Sequence, residues 1–414
     1  MTNALTVLFL AALAIASATR LWLARRQIRH VRAHRAAVPA SFADAIPLAA
    51  HQKAADYTVA KTRLAMLDVV VNALVVLALT LGGGLQIISA LWSSVFELGS
   101  LAHGTALCIS VIALLGAIGL PLSIYRIFVI EQRFGFNRMT LRLFISDLAK
   151  QIVIGLLLGV PLLLAVLWLM QKMGEHWWLY VWLVWMAFSL ALMMIYPAVI
   201  LPLFNKFTPI TEGELAARVA SLLSRCGFKS RGLFMMDGSK RSSHGNAFFI
   251  GFGATKRIVL FDTLVSRLDP PEVEAVLAHE LGHYKLHHIA KALVLSAGIS
   301  FVGLWVLGQL IGKPWFYSGL GIATPSMAAA LLLFFLVVPE FTFFLHPLTS
   351  LYSRLREFEA DAYAMLHSSA AELVRALVKL YQDNAATLTP DPLHSAFYDS
   401  HPPAAARIAR LKTA

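Results

Sequence analysis

The chain has 414 residues, 58% of them hydrophobic and only 14% charged. A soluble globular protein is about 45–50% apolar and about 25% charged, so this composition, with a mean hydropathy of +0.69, excludes an ordinary soluble domain and points to an integral membrane protein. The net charge of +12 does not call for a nucleic-acid partner, because its distribution between short loops has a membrane explanation.

A membrane-crossing helix needs about 20 predominantly apolar residues. Seven stretches qualify, at about 4–23, 66–92, 102–125, 152–170, 177–204, 292–312 and 327–349. The first lacks a positively charged start and has Arg20, Arg25, Arg26 and Arg29 at its far end, so it reads as an uncleaved span. Loops 24–65 and 126–151 hold eight and five Lys or Arg; loops 93–104, 171–176 and 313–326 hold none, one and one. Basic loops stay in the cytoplasm. The N-terminus is therefore expected outside, and segments 206–291 and 350–414 on the cytoplasmic face. Cys108 falls in a span and Cys226 in the cytosolic segment, so both are expected as free thiols. Gly82-Gly83-Gly84 and Pro339 are expected to distort their helices. Asp68, Glu340 and His346 fall inside or beside spans, where an ionisable group needs a partner or an aqueous cavity.

The predicted organisation is therefore spans one to five over 1–205, a cytosolic metalloprotease segment over 206–291, spans six and seven over 292–349, and a C-terminal segment 350–414 that completes the site. Within 206–291, residues 208–228 read as an amphipathic helix with Leu215, Val219, Leu222 and Leu223 on one side. Gly232–Met236 is apolar, and Asn246–Phe252 and Arg257–Phe261 flank the turn Gly253–Lys256 as a hairpin. An edge strand there is a natural place for an extended peptide to add as a further strand.

After the hairpin, Asp269 followed by Pro270-Pro271 marks a helix start, and Glu272 and Glu274 suit its positive end. That helix carries His279-Glu280-Leu281-Gly282-His283. Positions i and i+4 share a helix face, so His279 and His283 can hold one zinc ion. Glu280 can reach a water on that ion and serve as general base. Taken alone, the motif also fits two surface histidines on a charged helix. A catalytic zinc usually has three protein ligands, and the best third candidate is in Glu357-Phe358-Glu359-Ala360-Asp361. Glu359 is a rival ligand by type, but a helix turns it about 200° from Glu357. Asp361 shares the Glu357 face, so Glu357 is favoured as ligand and Asp361 as the group that orients a ligand histidine. Zinc is the expected cofactor, one per chain, although two His and a Glu also bind other divalent ions. In the tail, His401 stands before Pro402-Pro403 and could donate to an oxyanion.

These pieces together resemble the type I CAAX prenyl proteases, which are integral-membrane zinc endopeptidases. The resemblance is carried by Asp237–Phe248, by Lys256–Leu264, by the zinc motif, by Glu357–Asp361 and by Ser400–Pro403, in that order. Upstream, Phe128–Glu131, Gly135–Asn137 and Leu203–Pro209 are also similar. The resemblance implies a mainly α membrane protein whose seven helices enclose a water-filled chamber, with a zincin-like α+β metalloprotease domain at its cytosolic end. It implies His279, His283 and Glu357 as ligands, Glu280 as base, and Asn246, His401 and Arg407 in substrate binding or transition-state support. The implied substrate is a peptide or protein tail, with or without a lipid chain. Gly245 and the turn Gly253–Lys256 depart from the family pattern. The modest length suggests a bacterial member in the inner membrane. Two other readings stand beside it: a quality-control protease without prenyl specificity, and a multi-span carrier or scaffold.

Overall fold

The computed structural model describes residues 3–251 and 256–413. Seven of its helical segments are long and apolar enough to cross a membrane. The chain opens with α1 (Ala4–Ala33), α2 (Leu48–Leu79) and a short α3 (Gly84–Ser93). Then follow α4 (Leu101–Tyr125), α5 (Leu141–Lys172), α6 (Trp177–Ile195) and α7 (Leu201–Phe204). The segment after α7 contributes β1 (Phe207–Pro209), α8 (Glu214–Arg225), β2 (Leu233–Met236), β3 (Ala247–Ile250), β4 (Arg257–Phe261), α9 (Asp262–Val265) and α10 (Pro270–Lys285). Next come α11 (His288–Leu310), α12 (Pro314–Ser318), α13 (Met327–Thr342) and α14 (His346–His367). The tail adds α15 (Ala370–Asp383), α16 (Pro392–Tyr398) and α17 (Ala404–Thr413).

Three expectations change. The span predicted at 66–92 is two helices, because the chain turns at the glycine run. Gly83 has φ +76°, and a Cβ on Gly82 or Gly84 would meet the Ala78 carbonyl oxygen at 2.8 Å. Hydropathy does not register a positive φ, so the two apolar pieces read as one. The basic "loop" 24–65 is largely helix, since α1 and α2 both continue past their apolar stretches. The helix predicted at 208–228 starts later: Thr208-Pro209 belongs to β1, and Gly213 at φ +94° precedes α8.

Glu340 has a partner. Arg20 of α1 reaches it at 2.6 Å, and the Arg20 guanidinium lies 4.5 Å from the Phe343 ring centre. Asp68 and His346 are exposed. Cys108 and Cys226 are both free and buried.

The four strands form one sheet in the order β1-β2-β4-β3. β2 and β4 are parallel; β3 and β4 are antiparallel, from Ala247↔Leu260 to Ile250↔Arg257. β3 is therefore an edge strand, as the hairpin reading requires. The predicted turn, apart from Lys256, and Phe252 lie outside the described residues.

Helix α10 begins as the sequence predicts. The Glu272 carboxylate accepts the Asp269 backbone N–H at 2.8 Å, and Lys379 of α15 donates to both carboxylates. Its inner face, with Val273, Leu277 and Leu281, packs on Val219 and Leu222 of α8, Ile258 and Leu260 of β4, and Leu373 and Leu377 of α15. It also packs on α14, which continues α13 through one 3₁₀ turn, Phe343–Leu345. The two helices touch at Gly282. A Cβ there would stand 3.0 Å from Ala360 Cα, 3.1 Å from the Ala360 carbonyl and 3.1 Å from Tyr363 Cβ. The backbone of α14 cannot yield locally, so Gly282→Ala must push the helices apart. Overpacking of this kind costs about 1–3 kcal/mol. We expect Gly282→Ala to lower the thermal midpoint in detergent and to weaken zinc retention together. Unchanged values of both would show that the close approach is not required.

Candidate active site

The contact at Gly282 places the two histidines of α10 against the carboxylates of α14. His279 is nearly buried, as are Glu357 and Asp361, while His283 is half-buried. Among the described residues, one group of His, Cys, Asp and Glu could hold a metal ion, and it is His279, His283 and Glu357. One ligand atom from each lies within 4.8 Å of the other two. The Nε2 atoms of the histidines are 3.2 Å apart, and Glu357 lies 3.5 Å from His279 and 3.2 Å from His283.

The chemistry of this donor set suits zinc: two imidazole nitrogens and a carboxylate oxygen. The buried Glu357 carboxylate turns to imidazole nitrogens, with Nε2 of His279 and His283 at 3.5 and 3.2 Å. A buried charge is either paired or coordinates a metal, and lone pairs on those two nitrogens would complete a cation site with this carboxylate. Electrostatics point the same way. Burial by itself depresses the His279 pKa, but Asp361 and Glu357 outweigh it and lift the value to about 9. The two carboxylates thus draw positive charge to this imidazole, and a divalent ion meets the same demand.

Asp361 lies 2.8 Å from His279 Nδ1, the ring nitrogen away from Glu357. It fixes the tautomer that leaves Nε2 free to coordinate. Arg407 of α17 holds Asp361 in turn, with hydrogen bonds of 2.9 and 2.5 Å, and stands 3.6 Å from Glu357. Expected to support substrate, Arg407 is buried between two carboxylates and also lines the cleft. Glu280 lines the same cleft, of about 310 Å³, with Asn246, Ala247, Glu357 and His401. Burial raises the Glu280 pKa, with the neighbouring imidazoles of His279 and His283 pulling it back. His401 is exposed at the rim, its Nδ1 2.7 Å from Glu357 Oε2. The structure thus brings together every residue expected at the site, and it turns the rival ligand Glu359 away, toward His288.

Sequence reasoning did not single out several neighbours. Arg354, on the same helix as Glu357, donates to the carbonyls of Ser395 at 3.1 Å and Asp399 at 2.9 Å, which ties down the loop bearing His401. Asn384, which caps the end of α15, accepts from the Gly245 N–H at 3.3 Å and lies 3.0 Å from His244 Nδ1, which anchors the loop bearing Asn246. The same loop accepts help from the first half of the chain: Tyr57 donates to Glu131 at 2.7 Å, and Glu131 lies 3.6 Å from His244. Tyr381 also lines the cleft, and burial raises its pKa, so its hydroxyl stays protonated. None of these carries a local spacing signal, because each acts across a long sequence separation.

Residues 27–206 match the family model described as the CAAX prenyl protease N-terminal region with five membrane helices. Residues 209–414 match Peptidase family M48. The chain belongs to the M48 peptidase family. The CAAX prenyl protease 1 homolog of Arabidopsis thaliana is 39% identical over 290 residues, covering 70% of this chain and 68% of that protein. The Homo sapiens homolog is 35% identical over 334 residues, covering 71% and 70%. A crystal structure of S. mikatae Ste24p superposes with a TM-score of 0.91 at 30% identity, over 99% of both chains. The protein is thus a membrane-embedded metallopeptidase, and the carrier or scaffold reading falls away.

Outer partners of metal-bound histidines are worth about 10–100-fold in metal affinity. We expect Asp361→Ala to weaken zinc binding by about that factor, read by competition with a chromogenic chelator. Wild-type affinity in the variant would show that His279 needs no carboxylate behind it.

Proposed function

We propose that this chain is a zinc-dependent endopeptidase of a bacterial inner membrane that processes the C-terminal tails of lipidated proteins on the cytoplasmic face. The observation that carries the reading is that the His279, His283 and Glu357 cluster opens on a cleft lined by His279, Glu357, Glu280, Asn246 and the first residue of the edge strand, Ala247. The lipidated substrate class comes from the relatives, which are named CAAX prenyl proteases. The orientation is supported by the asymmetry of Lys and Arg between loops. The exposed Asp68 in α2 fits a water-filled chamber between the spans, where a carboxylate stays hydrated.

His279, His283 and Glu357 would hold one zinc ion. When bound, such an ion polarises a carbonyl and brings the pKa of a water to about 7. The peptide backbone pairs with the free edge of β3, which aligns the scissile bond without reading side chains closely. Glu280 takes the proton of the attacking water and passes it to the leaving amine. Its raised pKa suits both halves of that task, since a general base works best near the operating pH. His401 donates a hydrogen bond to the oxygen on which negative charge develops. Asn246, which lines the cleft just before β3, holds the substrate strand. Asp361 and Arg407 keep His279 in place.

Removing the base without disturbing the ligands separates chemistry from metal binding. We expect Glu280→Gln to keep wild-type zinc content and to lose at least about 10²-fold in turnover. Turnover close to wild type would overturn the role of Glu280. Substrate class is tested with a CAAX-type peptide carrying a farnesyl chain and the same peptide without it, using Glu280→Gln as the blank. We expect the farnesylated peptide to be cleaved preferentially. Equal cleavage of both would contradict the lipid preference and favour general quality-control proteolysis.

A further inference from the structure

Helix α10 is joined to α11 by a reversal so tight that His287 adopts φ +58°. The next residue, His288, is thereby folded back under the zinc motif. It is 4% exposed, and Arg356 of α14 donates to its carbonyl oxygen at 3.2 Å. Its Nδ1 lies 3.0 Å from Nδ1 of His283. Its Nε2 lies 2.8 Å from Oε2 of Glu359.

We propose that His288 and Glu359 are positioning residues that fix His283 in the tautomer able to bind metal. The inference rests on the reading of His279, His283 and Glu357 as a metal site. Two imidazole nitrogens that face each other at 3.0 Å must share one hydrogen. Which ring supplies it is decided at the far end. An ionised carboxylate only accepts, so Glu359 requires a hydrogen on His288 Nε2. The neutral ring then has a bare Nδ1, which only accepts. His283 must therefore carry its hydrogen on Nδ1, and its Nε2 is left with a free lone pair. That Nε2 is the atom facing His279 and Glu357.

The arrangement answers a geometric problem. His279 has its carboxylate, Asp361, in direct contact at 2.8 Å. Glu359 sits two positions earlier on the same helix, turned to another face, and its side chain is about half exposed. The His288 ring bridges the gap, accepting on one edge and donating on the other. Both imidazoles of the site are thus backed by a carboxylate of α14, one directly and one through an intermediate ring.

The experiment measures zinc affinity of the full-length protein in detergent by chelator competition, with the absorption spectrum of the Co2+-substituted protein as a second readout. His288→Ala is expected to bind zinc about 10–100-fold more weakly and to shift the cobalt bands. His288→Asn leaves a similar space but returns an acceptor oxygen near the Nδ1 position, so it should recover most of the affinity. Glu359 is exposed enough to change without harm to folding: Glu359→Ala should weaken binding and Glu359→Gln, whose carbonyl still accepts, should restore it. Wild-type affinity and spectrum in both alanine variants would overturn the proposal and leave the metal site standing. Failure of both rescues would overturn it too, because loss would then follow packing and not the hydrogen bond. A wild-type protein that binds no zinc would sink the metal reading and this one together.

Discussion

The structure depends on one close contact, the crossing of α10 and α14 at Gly282. Without a Cβ at that point the helix backbones come within van der Waals reach of each other. Everything chemical follows from it. The two histidines project from α10, while Glu357 and Asp361 project from α14, and neither helix has a complete site by itself. The contact is held from behind by the apolar face of α10 on α8, β4 and α15. It is held from the membrane side by α13, which leads into α14 through a single 3₁₀ turn. Proximity of these side chains is thus a packing property of the helix pair, and the proposed metal would meet donors that are already assembled.

Burial of so many ionisable groups in one place would be unfavourable if they were unpaired. Here several are matched by a counterpart. Asp361 is gripped by Arg407, and Lys379 closes the start of α10 by bridging Asp269 and Glu272. Glu357 lies against His279, His283 and His401, and a cation shared with the first two would meet its charge. The membrane portion follows the same rule: Glu340 is matched by Arg20 from the far end of the sequence. Polar groups inside this protein are therefore placed by partners contributed from distant segments, which ties the spans and the catalytic segment into one structure.

What the sequence reveals depends on whether the signal is local. His279 and His283 are legible because four residues on a helix return to the same face. Glu357 is legible for the same reason, through its spacing to Asp361. The seven spans are legible because lipid demands length and hydropathy. The break at Gly82–Gly84 is not, because the apolar pattern continues through a turn set by backbone dihedrals. The start of α8 is misjudged because a three-residue strand leaves too short a pattern to see. His288 escapes because its role arises only when the chain reverses at His287 and brings it under His283. Arg354 and Asn384 escape because they act on loops far away in sequence. The family resemblance supplies Asn246 and Arg407, which local spacing does not; it does not by itself say that Arg407 is engaged with Asp361.

The central claim is that one metal ion is bonded directly to His279, His283 and Glu357. Metal analysis combined with zinc X-ray absorption on the wild-type protein tests it most directly. The account predicts one zinc per chain, with two imidazoles and a carboxylate oxygen among its neighbours and no sulfur. Persistent absence of stoichiometric zinc after repletion, or a coordination shell containing sulfur, would contradict it.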